Sequence, residues 1–302
     1  MSFILYALPG NDALTETLAR RLKADIGQLE VRRFPDGETY VRALTSPKGR
    51  RVILVATLLH PDETILPLVF AADAMRDHKS LDVGLVAPYL AYMRQDKRFL
   101  EGESVTSASF ARLVSSCVDW MVTVDPHLHR RKSLSEIYTV PTMTVHAAPI
   151  IGRWLAQNTQ NIMLIGPDVE SRQWVKSVAE VAQVPFVILE KTRRGDHDVE
   201  ISVPQTENWL DRTPVLVDDI ISTARTMIET VNHLHNAGLK PPVCIGVHAI
   251  FSGNAYADLL ATNVDRIITC NSIPHTSNTI DLTGVIADVI YQLPETDRAI
   301  IP

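Results

Sequence analysis

The chain has 302 residues, 46% hydrophobic and 21% charged, with a formal net charge of −6. That length suits about two domains, each with its own core, and the acidic balance argues against a general nucleic-acid binder, which would carry a basic face. No apolar run approaches the roughly 20 residues that span a bilayer, so no membrane association is expected.

In chain order, MSFILYALPG lacks a basic n-region and reads as an opening strand over residues 3–7. Asn11 is placed to cap a helix whose stripe is Leu14, Leu18, Leu22 and Ile26, at i, i+4 spacing. A charged strand pair, 29–34 and 40–43, is joined by a turn at Pro35, Asp36 and Gly37. A buried strand over 51–58, a helix over 62–75 and a strand over 81–87 follow. Residues 91–104 (AYMRQDKRFLEGES) are polar and aperiodic, too long for a simple connection, and read as a mobile functional loop. A helix over 106–117 and a strand over 120–124 end at Asp125, Pro126 and His127.

The rhythm then repeats. A helix opens at His146 and Ala147, a strand over 161–165 ends in Gly166, Pro167 and Asp168, and a helix covers 171–182. A strand over 185–190 ends at Lys191, and VLVDDIISTARTM brings a strand to a stop at Asp218 before a helix over 223–237 closed by Gly238. Strands over 243–250 and 266–270 and an apolar segment over 285–293 complete the chain. Alternating strands and helices imply α/β architecture with mainly parallel, Rossmann-like sheets. Two related domains are expected, 1–145 and 146–302, with room for the last residues to return to the first. Cys117, Cys244 and Cys270 are far apart and in no metal-like spacing, so they read as reduced packing residues of a cytoplasmic protein.

Ligands of such sheets sit outside the carboxyl ends of the strands, and there the polar residues gather: His127, Asp168, Lys191 and the pair Asp218–Asp219. The stretch from Asp218 to Thr226 joins two acids to a loop of Ser222, Thr223, Ala224, Arg225 and Thr226 at a helix start. That suits a ligand with both hydroxyls and a phosphate; a surface turn whose acids cap the helix is the plainer reading. In FPDGE, the ring of Phe34 and the acids Asp36 and Glu38 flank Gly37, as an adenine site or as an ordinary hairpin turn. In RQDKR, Arg94, Gln95 and Asp96 with Lys97 and Arg98 suit a polyphosphate or make a solvated loop. Arg130, Arg131 and Lys132 form another basic group, as do Lys191, Arg193 and Arg194. His127 with His129 is a weak metal spacing, and Asp168 is the more orthodox Mg²⁺ ligand.

Taken in order, FPDGE, RQDKR, DPH, GPD, KTR and VDDIIST resemble the ribose-phosphate diphosphokinases (phosphoribosyl pyrophosphate synthetases) over nearly the whole chain. KRFLEGE and EKTRRGDHDVEI look like the archaeal-type branch. The resemblance implies two phosphoribosyltransferase-type domains and transfer of the diphosphoryl group of ATP to the anomeric hydroxyl of ribose 5-phosphate, which feeds nucleotide biosynthesis. It assigns Phe34, Asp36, Gly37 and Glu38 to adenine, lent by a neighbouring subunit of a homo-oligomer, and Arg94, Gln95 and Asp96 to the ATP phosphates. It assigns His127 and Asp168 to Mg²⁺, and Lys191 and Arg193 to the transition state. Asp218 and Asp219 go to the ribose hydroxyls, and Ser222, Thr223, Ala224, Arg225 and Thr226, with Arg193, to the sugar phosphate.

Two departures stand out: Arg225 where the family's loop has Gly, and VESRQW after Asp168 in place of a Gly-containing run. Arg225 is the best support for an alternative, a non-catalytic regulatory relative. A phosphoribosyltransferase is a third reading, against which the ATP-type turn and RQD loop both count.

Overall fold

The computed structural model describes residues 2–128, 130–167, 171–193, 199–202 and 209–293, so His129, Asp168 and Arg194 lie outside the described residues. Two compact units share the chain: one runs up to Val145 and resumes at Thr283, and the other runs from His146 to Leu282.

In the first unit the order is β1 (Phe3–Ala7), α1 (Asp12–Leu22), β2 (Asp25–Gly27), β3 (Leu29–Arg33), β4 (Thr39–Ala43), β5 (Arg51–Val55), α2 (Pro61–Asp77), β6 (Asp82–Ala87), α3 (Thr106–Cys117), β7 (Trp120–Val124) and β8 (Thr142–Val145). Six strands form one parallel sheet in the order β2-β1-β5-β6-β7-β8, while β3 and β4 make a separate antiparallel hairpin. Every residue of β5, β6 and β7 is buried, because a parallel sheet is covered on both faces. That is why these strands read as apolar runs rather than alternating ones. Leu68, Ala71, Ala72 and Met75 of α2 and Phe110, Ala111 and Val114 of α3 join the same core, where each large aliphatic side chain contributes roughly 1.5–3 kcal/mol by leaving water. Gly84 of β6 pairs with Trp120 of β7, and a Cβ at Gly84 would stand 2.0 Å from the indole. The ring takes the space a side chain would need.

Three local expectations change here. Asn11 precedes α1 but makes no side-chain cap. Its amide donates to the carbonyls of Leu8 and Pro9 and accepts from the Thr57 N–H at 2.8 Å, joining the loops after β1 and β5. The helix ends at Leu22 with Lys23 left-handed, so Ile26 falls in β2 and is exposed. Strand β8 is half-buried at the sheet edge, and such an edge carries little of the apolar signal that marks the inner strands.

The second unit holds α4 (Ala148–Asn158), β9 (Ile162–Gly166), α5 (Arg172–Ala182), β10 (Phe186–Ile188), β11 (Glu190–Arg193), β12 (Val199–Ser202), β13 (Thr213–Ile221), α6 (Arg225–Asn236), β14 (Val243–Ala249), α7 (Ala255–Leu260), β15 (Arg266–Cys270) and β16 (Asn278–Ile280). Its parallel sheet runs β10-β9-β13-β14-β15-β16. Gly238 follows α6 with φ +77, and the Leu239 N–H returns to the Leu234 carbonyl at 3.1 Å, a left-handed helix stop that glycine makes at least cost.

Lys191 is not at a strand end. It lies inside β11, opposite Ile201 of β12, and Arg193 lies opposite Val199, in a two-stranded antiparallel ribbon outside the main sheet. The closing apolar segment is a helix, α8 (Thr283–Tyr291), which packs on α1, β7 and β8 of the first unit. All three cysteines are free and buried. Burial pushes the Cys117 thiol up to about 11 and the Cys244 thiol up to about 12, so both are protonated packing groups at neutral pH.

Candidate active site

In the second unit, β13 is bordered by β9 only as far as the pair Leu216–Ile165, whereas its pairing with β14 continues to Ile221–Ala249. Asp218 and Asp219 therefore lie where one neighbour has ended, and the strand runs on for two residues beyond them rather than stopping at Asp218. Asp218 still pairs with Gly246, pairing resumes at Ile220–His248, and Asp219 falls in the gap between. Both acids are half-buried, and the Asp219 N–H donates to the Asp218 carboxylate at 2.9 Å. The strand thus presents two carboxylates at the carboxyl edge of the sheet.

Ser222 and Thr223 follow, then Ala224 with φ +56, then Arg225 as the first residue of α6. The first return bond is from the Ile228 N–H to the Ala224 carbonyl at 2.9 Å. The leading N–H groups of a helix have no carbonyl four residues back within it, and the helix dipole makes that end favourable to an anion. Ala224 is only 6% exposed, whereas Arg225 and Thr223 are exposed and Ser222 and Thr226 half-buried. The left-handed residue is thus Ala224, and Arg225 sits in ordinary helix with its side chain at the surface rather than in the loop.

A second loop braces this one. The N–H groups of Phe251 and Ser252 donate to the carbonyls of Ile221 and Ser222 at 2.9 and 3.0 Å, and the hydroxyls of Ser222 and Ser252 lie 3.2 Å apart. Phe251 has φ +41; its ring packs against Tyr256 and His275, with centroids 5.1 and 4.7 Å away. Burial lowers the pKa of His275, whose Nδ1 faces the Ser277 hydroxyl at 2.7 Å. Nothing in the local sequence marks Ser252 or His275; only the pairing of neighbouring strands brings them here.

In the first unit, the turn after β3 is closed by N–H groups of Phe34 and Gly37 donating to carbonyls of Glu38 and Phe34, at 2.8 and 2.9 Å. Gly37 takes φ +93. Phe34 is 40% exposed, with its ring nearly perpendicular to that of Tyr40 and the Arg32 guanidinium 4.8 Å from its ring centre. Asp36 and Glu38 are exposed.

The 91–104 segment, expected as a mobile functional loop, makes a set of side-chain contacts with its surroundings. Tyr92, at φ +61, donates its hydroxyl to Asp62 at the head of α2 and packs its ring 4.9 Å from Phe110 of α3. Gln95 accepts from the Thr106 hydroxyl and the Ser107 N–H at 3.2 and 3.3 Å. Asp96 pairs with Arg130 at 2.9 Å. Further on, Glu103 accepts from the N–H groups of Phe99 and Leu100 at 2.7 and 3.1 Å. Arg94 remains exposed, with no ion pair among the described residues.

His127 lies past the end of β7 with φ +55, and Asp125 two residues before it has φ +31. Two left-handed L-residues so close together are strained, a feature that collects at functional sites.

Residues 3–117 match the family model described as the N-terminal domain of ribose phosphate pyrophosphokinase, and 133–283 match the phosphoribosyl transferase domain. A ribose-phosphate pyrophosphokinase of Methanopyrus kandleri is 34% identical over 93% of this chain and 96% of its own. The chain belongs to the ribose-phosphate pyrophosphokinase family. Ribose-phosphate pyrophosphokinase 2 of Archaeoglobus fulgidus is 31% identical over 93% of this chain and 98% of its own, so the archaeal likeness read from KRFLEGE extends along the chain. The phosphoribosylpyrophosphate synthetase of Mycobacterium smegmatis, 21% identical, superposes with a TM-score of 0.84 over 96% of this chain and 98% of its own. The fold is therefore that of a phosphoribosylpyrophosphate synthetase, with two phosphoribosyltransferase-type domains.

Within this pyrophosphokinase fold, no group of three His, Cys, Asp or Glu among the described residues could hold a metal ion. Mg²⁺ commonly keeps several waters and takes one or two carboxylates plus substrate phosphates. Of the two residues expected to hold Mg²⁺, His127 stands past the end of β7 and Asp168 lies outside the described residues. Among the described residues, no helix is long and apolar enough to cross a membrane.

Proposed function

We propose that this chain transfers the diphosphoryl group of ATP to the anomeric hydroxyl of ribose 5-phosphate, giving 5-phosphoribosyl 1-diphosphate and AMP. The observation that carries this reading is the acidic pair Asp218–Asp219 standing beyond the end of β9, with the 222–226 loop and the head of α6 immediately after it. Carboxylates accept hydrogen bonds from the ribose hydroxyls, and the leading N–H groups of α6, with the hydroxyls of Ser222, Thr223 and Thr226, receive the 5-phosphate. Arg225 begins α6 with its side chain exposed, which supports an open sugar site and a catalytic chain over a purely regulatory one.

On the ATP side, Arg94 and Gln95 hold phosphates, and the exposed Phe34 with Asp36 and Glu38 serves the adenine of a neighbouring copy, so the working unit is at least a homodimer. The anomeric oxygen attacks the β-phosphorus of ATP, the bond from that phosphorus to the oxygen bridging to the α-phosphorus breaks, and the proton of the attacking hydroxyl is lost to solvent. His127 and Asp168 would serve Mg²⁺ bound with ATP, and the ion would supply positive charge to the phosphate oxygens. Lys191 and Arg193 stabilise the charge that spreads over the moving group. The protein's work is alignment and charge stabilisation. The product then feeds nucleotide biosynthesis, and a cytoplasmic setting accords with three free thiols.

The test is AMP formation from ATP that requires both ribose 5-phosphate and Mg²⁺; folded protein that makes none overturns the reading. Lys191→Ala is expected to lower kcat by at least about 10²-fold, as for other preorganised charge stabilisers. An unchanged kcat would remove Lys191 from the transition state.

A further inference from the structure

The basic pair Arg130–Arg131 follows the end of β7, close to where His127 stands, and its charge invites assignment as another phosphate contact. The geometry points elsewhere. The Asp96 side chain is 6% exposed, and its carboxylate meets the Arg130 guanidinium at 2.9 Å, with Arg130 itself 48% exposed. A carboxylate so far withdrawn from water is costly unless a cation stays beside it. The Asp96 backbone is held as well: the Arg131 guanidinium donates to its carbonyl at 3.3 Å, while facing Glu136 at 4.0 Å. Arg130 also lies 5.8 Å from the centre of the Phe99 ring, farther along the same loop. These contacts join the loop after β6 to the segment after β7 across 34 and 35 residues of sequence.

Arg94 and Gln95 immediately precede the held residue. Gln95 is fixed at its side chain and its carbonyl, and Arg94 is the exposed cation beside it. An acid placed two residues from Arg94 would repel a polyphosphate if its charge were open. Paired with Arg130, its field is largely cancelled, and its position fixes the direction in which Arg94 leaves the loop.

We propose that Arg130 and Arg131 are positioning residues that clamp the nucleotide loop through Asp96, and that Asp96 does not itself contact ATP. Three parts of the loop share the load: Tyr92 at the root, Gln95 in the middle and Asp96 at the clamp. The assignment rests on the ATP reading for its functional consequence, although the clamp itself is a property of the free chain. Because each arginine holds the loop through one guanidinium nitrogen, their substitution acts on ATP by way of the loop's shape.

The test uses the full chain as wild type, Asp96→Asn, Arg130→Met and the double variant. Three quantities are measured: hydrogen-exchange protection of amides 93–103, ATP affinity by calorimetry, and KM for ATP and for ribose 5-phosphate. Each single change is expected to strip protection from the loop and raise KM for ATP about tenfold, with KM for ribose 5-phosphate unchanged, and the double variant is expected to be no worse than the poorer single one, as for a coupled pair. Effects that multiply to about a hundredfold in the double variant would overturn the clamp. So would weakened ATP binding in Arg130→Met with full loop protection, which would make Arg130 a direct phosphate ligand. Arg130→Lys, which keeps the charge and loses the fork, reads the same quantities where Arg130→Met does not fold. A wild type that binds no ATP would end the functional reading, while the exchange data on the four proteins would still decide the clamp.

Discussion

The two loops proposed to bind phosphates, one in each unit, are of opposite construction. The 222–226 loop is short, follows β13 directly, and is held by backbone bonds from Phe251 and Ser252 and by the first return bond of α6. The 91–104 loop is long and is held by side chains: Tyr92 on Asp62, Gln95 on Thr106, Asp96 on Arg130, and Glu103 on the amides of Phe99 and Leu100. A backbone cradle constrains sequence only where φ is positive or a Cβ is packed. A side-chain scaffold constrains it wherever a polar atom is spoken for. The first is expected to tolerate an Arg at the head of its helix, and the second to be sensitive to the loss of one oxygen.

The sharpest way to break the backbone loop is at Ala224, left-handed at φ +56 and 6% exposed. Ala224→Val puts a β-branched residue into a conformation it scarcely adopts and adds two methyl groups to a packed position. The expected cost is about 2–4 kcal/mol of stability, read from the denaturant midpoint, together with a raised KM for ribose 5-phosphate. A midpoint within experimental error of wild type would mean the loop is held by something other than this conformation.

The side-chain loop answers to a smaller change. Tyr92→Phe keeps the ring against Phe110 but removes the hydroxyl that donates to Asp62. One such bond contributes about 1 kcal/mol, so KM for ATP is expected to rise about fivefold while KM for ribose 5-phosphate stays put. A shift in both constants would show that the two loops are not separate in function. The same hydrogen bond raises the Tyr92 pKa. The phenol is therefore the donor throughout the neutral range, and no pH dependence of this contact is expected there.

The contrast also explains what could be read from the chain alone. The sheets were legible because β5, β6, β7, β9 and β14 are buried on every residue, and burial on both faces writes itself as an apolar run. The edge strands β8 and β16 and the short helix α7 left no such record. At the 222–226 loop, the acids, hydroxyls and helix start all lie within nine residues, so the sequence displays the whole cradle. The 91–104 loop depends on Asp62, Thr106 and Arg130, brought together only by the folded sheet, and so its contacts could not be read from its own polar composition. Asn11 misled for the same reason: its oxygen is taken by Thr57, 46 residues away, rather than by its own helix. The ribbon of β11 and β12 hid behind the short β10, which leaves only Leu189 between two strands.

Arg225 gives the weakest and most discriminating effect. If the backbone carries the sugar phosphate, the residue at the head of α6 adds only the field of an exposed cation. Such a charge is screened by salt and contributes less than about 1 kcal/mol. Arg225→Ala should then leave the denaturant midpoint unchanged and raise KM for ribose 5-phosphate about twofold at low ionic strength, with the difference vanishing toward 1 M salt, where the screening length is roughly 3 Å. A salt-insensitive loss of tenfold or more would put the guanidinium in direct contact with the phosphate. The 222–226 loop would then be a mixed site of backbone and side chain, closer in construction to the 91–104 loop than its geometry indicates.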